Sequence, residues 1–447
     1  MIQYYLKGNC CISCQQKESD TVGTRFFVSA IPLFDSKMAV HAYRMMTQDG
    51  EKLFGAAEDF RMLGGELLAP ALELVKNIGV EPFAGNHDFF VELSKYQLLM
   101  GMPASMRIPP ENFVCVIDKE TLTDNAAYAK MAILKRNGYR IALSGLPSHI
   151  SLETAVGFFE YIMLSCTSEN FSQDLKTIRP YIFRISLVIT DIPDMASFSR
   201  LAGARSVLLS GNFYSQPITR GVTEISPLKI NALNLLGQIN EEGFDLISAA
   251  STIERDPALS ISLLRFLNAM NPDRSRRIDS IRRAVAILGQ LEVKKWATIA
   301  ISIGVGEDRP SEITKLSLIR AKFAENLAPA FGLAMKSSSL FIAGLFSLLD
   351  VILQRPMHEA IEEVAAETDI RDALVNSKGD LYDVLSLIFA YERADWHTAS
   401  INMVKNGVDI EVLTQAFLDS LHWYRQLLDA IDETDSQPFE EDADLAE

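Results

Sequence analysis

The strongest constraint on this chain is a change of period. From Arg25 to Leu209, short apolar runs too brief for helices alternate with stretches of helical spacing. After Gln216-Pro217 the short runs stop, and almost every segment to Tyr424 has helical spacing. Alternating strand and helix calls for a parallel sheet or barrel, and an unbroken series of helices calls for a separate all-α unit. At 447 residues and 48% apolar content, the chain can bury more than one full core. The expected fold is α/β followed by all-α.

In the first half, Arg25–Asp35 alternates and ends in a turn, and Met38–Met46 can return as its hairpin partner across Asp35-Ser36. Asp88–Leu93, Phe113–Ile117, Tyr139–Leu143, Tyr181–Val188 and Ser206–Leu209 read as further strands. Ala56–Asn77, Thr123–Lys135 and Phe198–Ala202 read as helices, with a helical turn at Lys95–Met100; Val156–Ser165 fits either state. Tyr139–Leu143 follows a helix stopped at Asn137-Gly138 and ends in a Gly/Pro turn. In barrels and doubly wound sheets such a strand end carries catalytic groups. Here it reads Ser144-Gly145-Leu146, with no acid, base or strong nucleophile.

The formal charge of −16 argues against sequence-independent nucleic-acid binding, so no nucleic-acid partner is expected. Nine acidic residues and no Lys or Arg follow Arg425, which marks residues 429–447 as an acidic, disordered tail. No apolar run is long enough to span a membrane, and the N-terminus lacks a signal-peptide core, so a cytoplasmic, membrane-free protein is expected. Cys10, Cys11 and Cys14 cluster near the N-terminus, but no second CxxC or nearby His completes a zinc set, so a chance cluster of reduced thiols is the plainer reading. Residues 1–24 read as a loose extension. His87-Asp88 has the dipeptide of metal-dependent phosphohydrolases but lacks the further ligands, and chance explains it.

The segment PENFVCVIDKETLTDNAAYAKMAILKRNGYRIALSGLP, with IPLFD before it and SGNFYSQP after it, resembles an EAL domain, the TIM-like cyclic di-GMP phosphodiesterase barrel. In the second half, LLRFLNAMNPDRSRRIDSIRRAVAILGQLEVKKWATIA resembles the start of an HDOD domain. SLFIAGLFSLLDVIL and AYERADWHTA resemble the two-domain EAL–HDOD subgroup. The resemblance implies a degenerate TIM-like EAL barrel at 25–222 and an all-helical HDOD domain at 223–428.

The chemistry of EAL enzymes needs carboxylates that hold two divalent cations and activate a bridging water. Carried over, the first metal glutamate falls at Arg44, in HAYRMMTQ, and the substrate-contacting arginine at Gln48. The ligand asparagine falls at Glu92, the next glutamate at Val116 and the aspartate pair at Ser144-Gly145. The lysine that orients the water falls at Arg184, with Ser186 for the aspartate beyond it, and the late glutamine falls at Ser210. Between Ser186 and Ser210 the resemblance implies that a helix and a strand carrying another glutamate are missing. The resemblance therefore implies that the metal site is lost, with no catalytic residue, metal or cofactor. Arg44, always charged, repels cations; it can bind a phosphate or a partner's carboxylate, or simply pair with Glu92.

In the helical half the place of the HD dipeptide falls at Ser347-Leu348, and His358, His397 and His422 make no ligand spacing. Arg274, Arg276, Arg277, Arg282 and Arg283 form the one basic cluster, either a docking face for an acidic partner or phosphate, or a solvated face paired with Asp273 and Asp279. The expectation is a non-catalytic signalling scaffold that works through other signalling proteins; the alternative is a cyclic di-GMP phosphodiesterase or receptor, with binding of that nucleotide disfavoured by Gln48 and Ser210.

Overall fold

The computed structural model describes residues 26–49, 70–148, 150–203, 207–216, 245–254, 263, 280–305, 311–364 and 366–435. The N-terminal extension with Cys10, Cys11 and Cys14, the segment containing Arg274, Arg276 and Arg277, and the acidic end beyond residue 435 lie outside them.

Eight strands close into a barrel in sequence order: β1 Phe26–Phe34, β2 Val40–Asp49, β3 Asp88–Leu93, β4 Phe113–Asp118, β5 Arg140–Ser144, β6 Tyr161–Ser165, β7 Ser186–Ile192 and β8 Val207–Gly211. Strands β2 to β8 run parallel, while β1 is antiparallel to β2 and to β8. The β1–β2 reversal is tight because Asp35 caps it, its carboxylate accepting from the backbone N–H groups of Lys37 at 2.7 Å and Ala39 at 2.9 Å. Alternate residues turn inward and fill the barrel with Leu33, Ala42, Phe90, Val114, Val116, Ala142, Met163 and Val188. The other face of each strand packs on helices α1 Pro70–Ile78, α2 Glu81–Ala84, α3 Lys95–Leu99, α4 Asn125–Arg136, α5 Leu152–Phe158, α6 Phe171–Ile178 and α7 Met195–Leu201. Of the expected helix at Ala56–Asn77, only the part from Pro70 is described.

Two sequence expectations change. The ambiguous stretch Val156–Ser165 divides into the end of α5 and the whole of β6. The strand placed at Tyr181–Val188 begins only at Ser186, because Arg179–Tyr181 forms a 3-10 turn around Pro180. With β6 counted, the barrel closes on eight strands, and the stretch from Ser186 to Ser210 holds β7, α7 and the start of β8.

The second half is helical: α8 Leu246–Glu254, α9 Ile281–Val305, α10 Ser311–Leu327, α11 Ser337–Phe346, α12 Leu349–Leu353, α13 Met357–Glu363, α14 Thr368–Val375, α15 Asp380–Glu392, α16 Trp396–Asn406 and α17 Ile410–Asp435. Helix α9 breaks at Gly289, whose φ of +75° lies outside the helical range. Helices α10 and α11 touch backbone to backbone, since a Cβ on Gly344 would lie 2.7 Å from Cα of Ala321. The expected tail from residue 429 is corrected in part: α17 continues to Asp435, with no Gly or Pro to stop it before Pro438.

The halves are joined along β1. That strand pairs with β8 only at Phe34 and Leu209, which leaves most of its outer edge open. An unpaired strand edge needs other partners, and the helical half supplies them. The N–H of Val28 donates to the Tyr391 hydroxyl at 3.3 Å. The Phe26 carbonyl accepts from Thr414 at 2.8 Å. Phe27 stacks on Trp396 with ring centroids 5.2 Å apart and meets the edge of Tyr391.

Candidate functional site

The mouth of the barrel, at the carboxyl ends of β2 to β8, is where the fold class places its chemistry. Arg44 lies on β2, two residues beyond inward-facing Ala42, and Glu92 lies on β3, two beyond inward-facing Phe90. Strand alternation brings both to the mouth, where they form an ion pair. The Arg44 side chain is 17% exposed and that of Glu92 56%. The Nε of Arg44 is buried without a hydrogen-bond partner. Val116 is part of the apolar filling below. Gln48, near the end of β2, is half-buried opposite Phe27. Ser210 is buried, and its hydroxyl donates to the Pro32 carbonyl at 2.9 Å.

Ser144 ends β5 beside Asp118. Gly145 follows with a φ of +84°, and a Cβ there would lie 2.9 Å from Cδ of Lys119. A side chain at this position would meet the stem of Lys119, on a backbone that favours glycine.

Arg184 is a correction. It precedes β7 at the opposite end of the barrel and pairs with Glu153 on α5. Ser186 is the first residue of β7, opposite Tyr161, and is equally remote from the mouth. The misplacement came from overlooking β6, whose inward residue below the mouth is Met163 and whose last residue is Ser165.

One acid at the mouth escaped the sequence reading. Asp191 sits at the irregularity of β7 between Ile189 and Ile192, with a φ of +61°. Its carboxylate accepts from the hydroxyls of Ser165 and, at 2.9 Å, Thr190. The turn-forming Asp-Ile-Pro after an apolar run was the available signal. Arg393 and Ala394, from the α15–α16 turn, reach over from the helical half and complete a cavity of about 650 Å³ at the mouth.

Among the described residues no three His, Cys, Asp or Glu side chains gather closely enough to share a metal ion. Of the acids at the mouth, Glu92 pairs with Arg44, Asp191 accepts from two hydroxyls and Asp118 accepts from the backbone N–H of Glu120 in the turn after β4. This set does not fit two divalent cations, and no metal-assisted step is derived from it. His87-Asp88 is structural: Asp88 forms a two-pronged pair with Arg140 at the end of the barrel opposite the mouth, with one contact of 2.6 Å. Burial pushes the Cys115 thiol well up, which keeps it inert.

In the helical half, Ser347-Leu348 forms the break between α11 and α12. The Ser347 hydroxyl accepts from Arg320 at 2.7 Å, and Arg320 also meets both carboxylate oxygens of Glu392 at 3.2 to 2.7 Å. Arg320 and Glu392 are both largely buried, and the guanidinium lies 4.7 Å from the Phe389 ring centre. Sequence reading missed this pair, because its members lie far apart in the chain. Of the basic cluster, Arg282 pairs with Glu254 at 3.2 Å and its side chain is 70% exposed; the Arg283 side chain is exposed too.

Comparison with known proteins agrees with this organisation. Residues 225–378 match the HDOD domain model. The uncharacterized protein YuxH of Bacillus subtilis is 26% identical over 415 residues, covering 91% of this chain and all of the relative. The cyclic di-GMP phosphodiesterase CdgJ of Vibrio cholerae is 22% identical over 433 residues, covering 96% of this chain and 99% of the relative. Among solved structures, a calcium and cyclic di-GMP complex of Klebsiella pneumoniae BlrP1 is 14% identical with a TM-score of 0.34, covering 43% of this chain and 56% of that one. The EAL-like domain protein YdiV is 14% identical with a TM-score of 0.31, covering 42% and 89%. The chain is an eight-stranded barrel followed by a helical region, and residues 225–378 are similar to the HDOD domain. Its likeness to the protein named as a cyclic di-GMP phosphodiesterase runs nearly from end to end. Among the described residues no helix is long and apolar enough to cross a membrane.

Proposed function

We propose that this protein is a non-catalytic signalling scaffold that acts through contacts with other proteins. The observation that carries this reading is the Arg44–Glu92 pair at the barrel mouth. A permanent cation there opposes the binding of divalent ions, and Val116, Ser144 and Gly145 offer no carboxylate to replace the lost ligand. The helical half repeats the theme, since Arg320, held by Glu392, reaches the place of the HD dipeptide at Ser347. Both cations also hold structure together, which fits a protein kept for its surfaces. The barrel domain (25–222), the HDOD domain (223–428) and the cytoplasmic setting belong to this reading. Incubation of the full chain with cyclic di-GMP and magnesium or manganese should give no chelator-sensitive turnover.

A second reading is a phosphodiesterase or a receptor for cyclic di-GMP. Full-length similarity to a protein named as such a phosphodiesterase favours it, and the mouth cavity of about 650 Å³ lies within the size range of ligand sites. Against it stand Gln48, which offers a neutral amide in place of the substrate-contacting arginine, and Ser210, whose hydroxyl is already bonded to Pro32. Calorimetric titration with cyclic di-GMP separates a receptor, which binds without turnover, from a scaffold that does neither.

A further inference from the structure

Beyond their single pairing at Phe34 and Leu209, β1 and β8 part. The gap between residues 29–32 and 212–215 is closed by α10 and the end of α15, which leaves a cavity of about 200 Å³ between the halves. Its charged lining is unevenly satisfied. Arg320 is held by Glu392 and Ser347. Oε2 of Glu312 accepts the Tyr43 hydroxyl at 2.6 Å. Lys315 is held more loosely, in an ion pair with Glu312. Its nearest carboxylate oxygen, Oε1 of Glu312, is 3.7 Å away, beyond hydrogen-bonding distance, and its ammonium lies 3.9 Å from the Tyr43 ring centre. The Lys315 side chain is only 15% exposed, and burial lowers its pKa. Arg393, at the cavity wall, is exposed, with the Asp395 carboxylate near enough to feel its charge. Lys315, Arg320 and Arg393 against Glu312 and Glu392 leave the lining with an excess of positive charge.

We propose that this cavity is a binding site for a small oxyanion, either inorganic phosphate or the phosphate group of a phosphomonoester. Lys315 and Arg393 supply the charge, and Asn212 and Ser215 lie beside them as donors. The volume is below the roughly 300–1,000 Å³ of sites for larger ligands, so only the phosphate end fits. The mouth cavity shares Ile31, Asn212, Ser215 and Arg393 with it, so the remainder of a phosphomonoester has room to extend that way. An anion held here touches both halves and tightens their junction. The site is independent of whether the barrel catalyses anything.

The test is thermal unfolding of the full chain with inorganic phosphate, with GMP, and with sodium chloride at matched ionic strength. Wild type is compared with Lys315→Met and with Arg393→Gln, the latter an exposed change that leaves the core intact. The expected result is a phosphate-specific rise in Tm of about 2 °C or more at saturation, reduced in both variants. A rise with GMP alone, also lost in both variants, assigns the site to a phosphomonoester. No rise beyond chloride with either ligand, or a rise undiminished in Arg393→Gln, overturns the proposal.

Discussion

The hydroxyl of Tyr43 donates a 2.6 Å hydrogen bond to Oε2 of Glu312, joining β2 of the barrel to the first turn of α10. Both residues are buried. Tyr43→Phe leaves a buried carboxylate short of a donor, at a cost of about 1–3 kcal/mol. Urea unfolding of the full chain is expected to show this loss within one cooperative transition reported by both halves. A variant as stable as the wild type would mean the bond does not help to hold the junction.

The stack of Phe27 on Trp396 seals the open edge of β1. Trp396→Ala should cost about 3–5 kcal/mol, the usual range for losing a large buried aromatic. Far-ultraviolet and tryptophan signals should then shift together in denaturant. If helical unfolding separates cleanly from barrel unfolding in the wild type, the halves are not one cooperative unit.

Putting back the acids of the resembled enzymes should not restore a metal site. Arg44→Glu would set a second carboxylate beside Glu92, whose charge would lose its partner. Gly145→Asp would place a Cβ at a φ of +84° and 2.9 Å from the Lys119 stem, a strain of roughly 1–2 kcal/mol. Calorimetric titration of each single variant with manganese is expected to show no tight binding and a lowered Tm. Tight binding by either variant would show that the mouth retains an adequate ligand set.

Alkaline solution should unfold the protein earlier than its buried surface alone would suggest. Burial raises the pKa of Tyr43, Tyr214 and Tyr391, and pushes that of Tyr424 up to about 12. These phenols are neutral in both states below about pH 10. Above it the unfolded chain ionises first, so the unfolded state binds fewer protons and stability falls as pH rises. The lowered pKa of Lys315 acts in the opposite sense, raising stability up to its unfolded value of 10.5. The four phenols outweigh it above pH 10. Tm measured from pH 8 to 11 should decline above 10, less steeply in Tyr43→Phe. A flat profile would contradict this account.

Much of the architecture is legible because it rests on local patterns. The short apolar strands at Phe113 and Arg140, and the reversal between β1 and β2 at Asp35-Ser36, follow from neighbouring residues. Strand β6 was harder, because four apolar residues and a serine after a short helix fit either state. That one ambiguity moved the expected lysine position to Arg184 at the wrong end of the barrel. The pairs Arg320–Glu392 and Tyr43–Glu312 join residues 72 and 269 positions apart. No local pattern specifies such contacts; they exist only once helices and strands have packed.

The Arg44–Glu92 pair at the barrel mouth carries the proposal that this protein is a non-catalytic scaffold. The most direct measurement is hydrolysis of cyclic di-GMP by the full-length protein with magnesium or manganese, with and without chelator. The account predicts no metal-dependent product above the buffer control. Turnover that appears with the metal, disappears with chelator and tracks the protein through purification would contradict it.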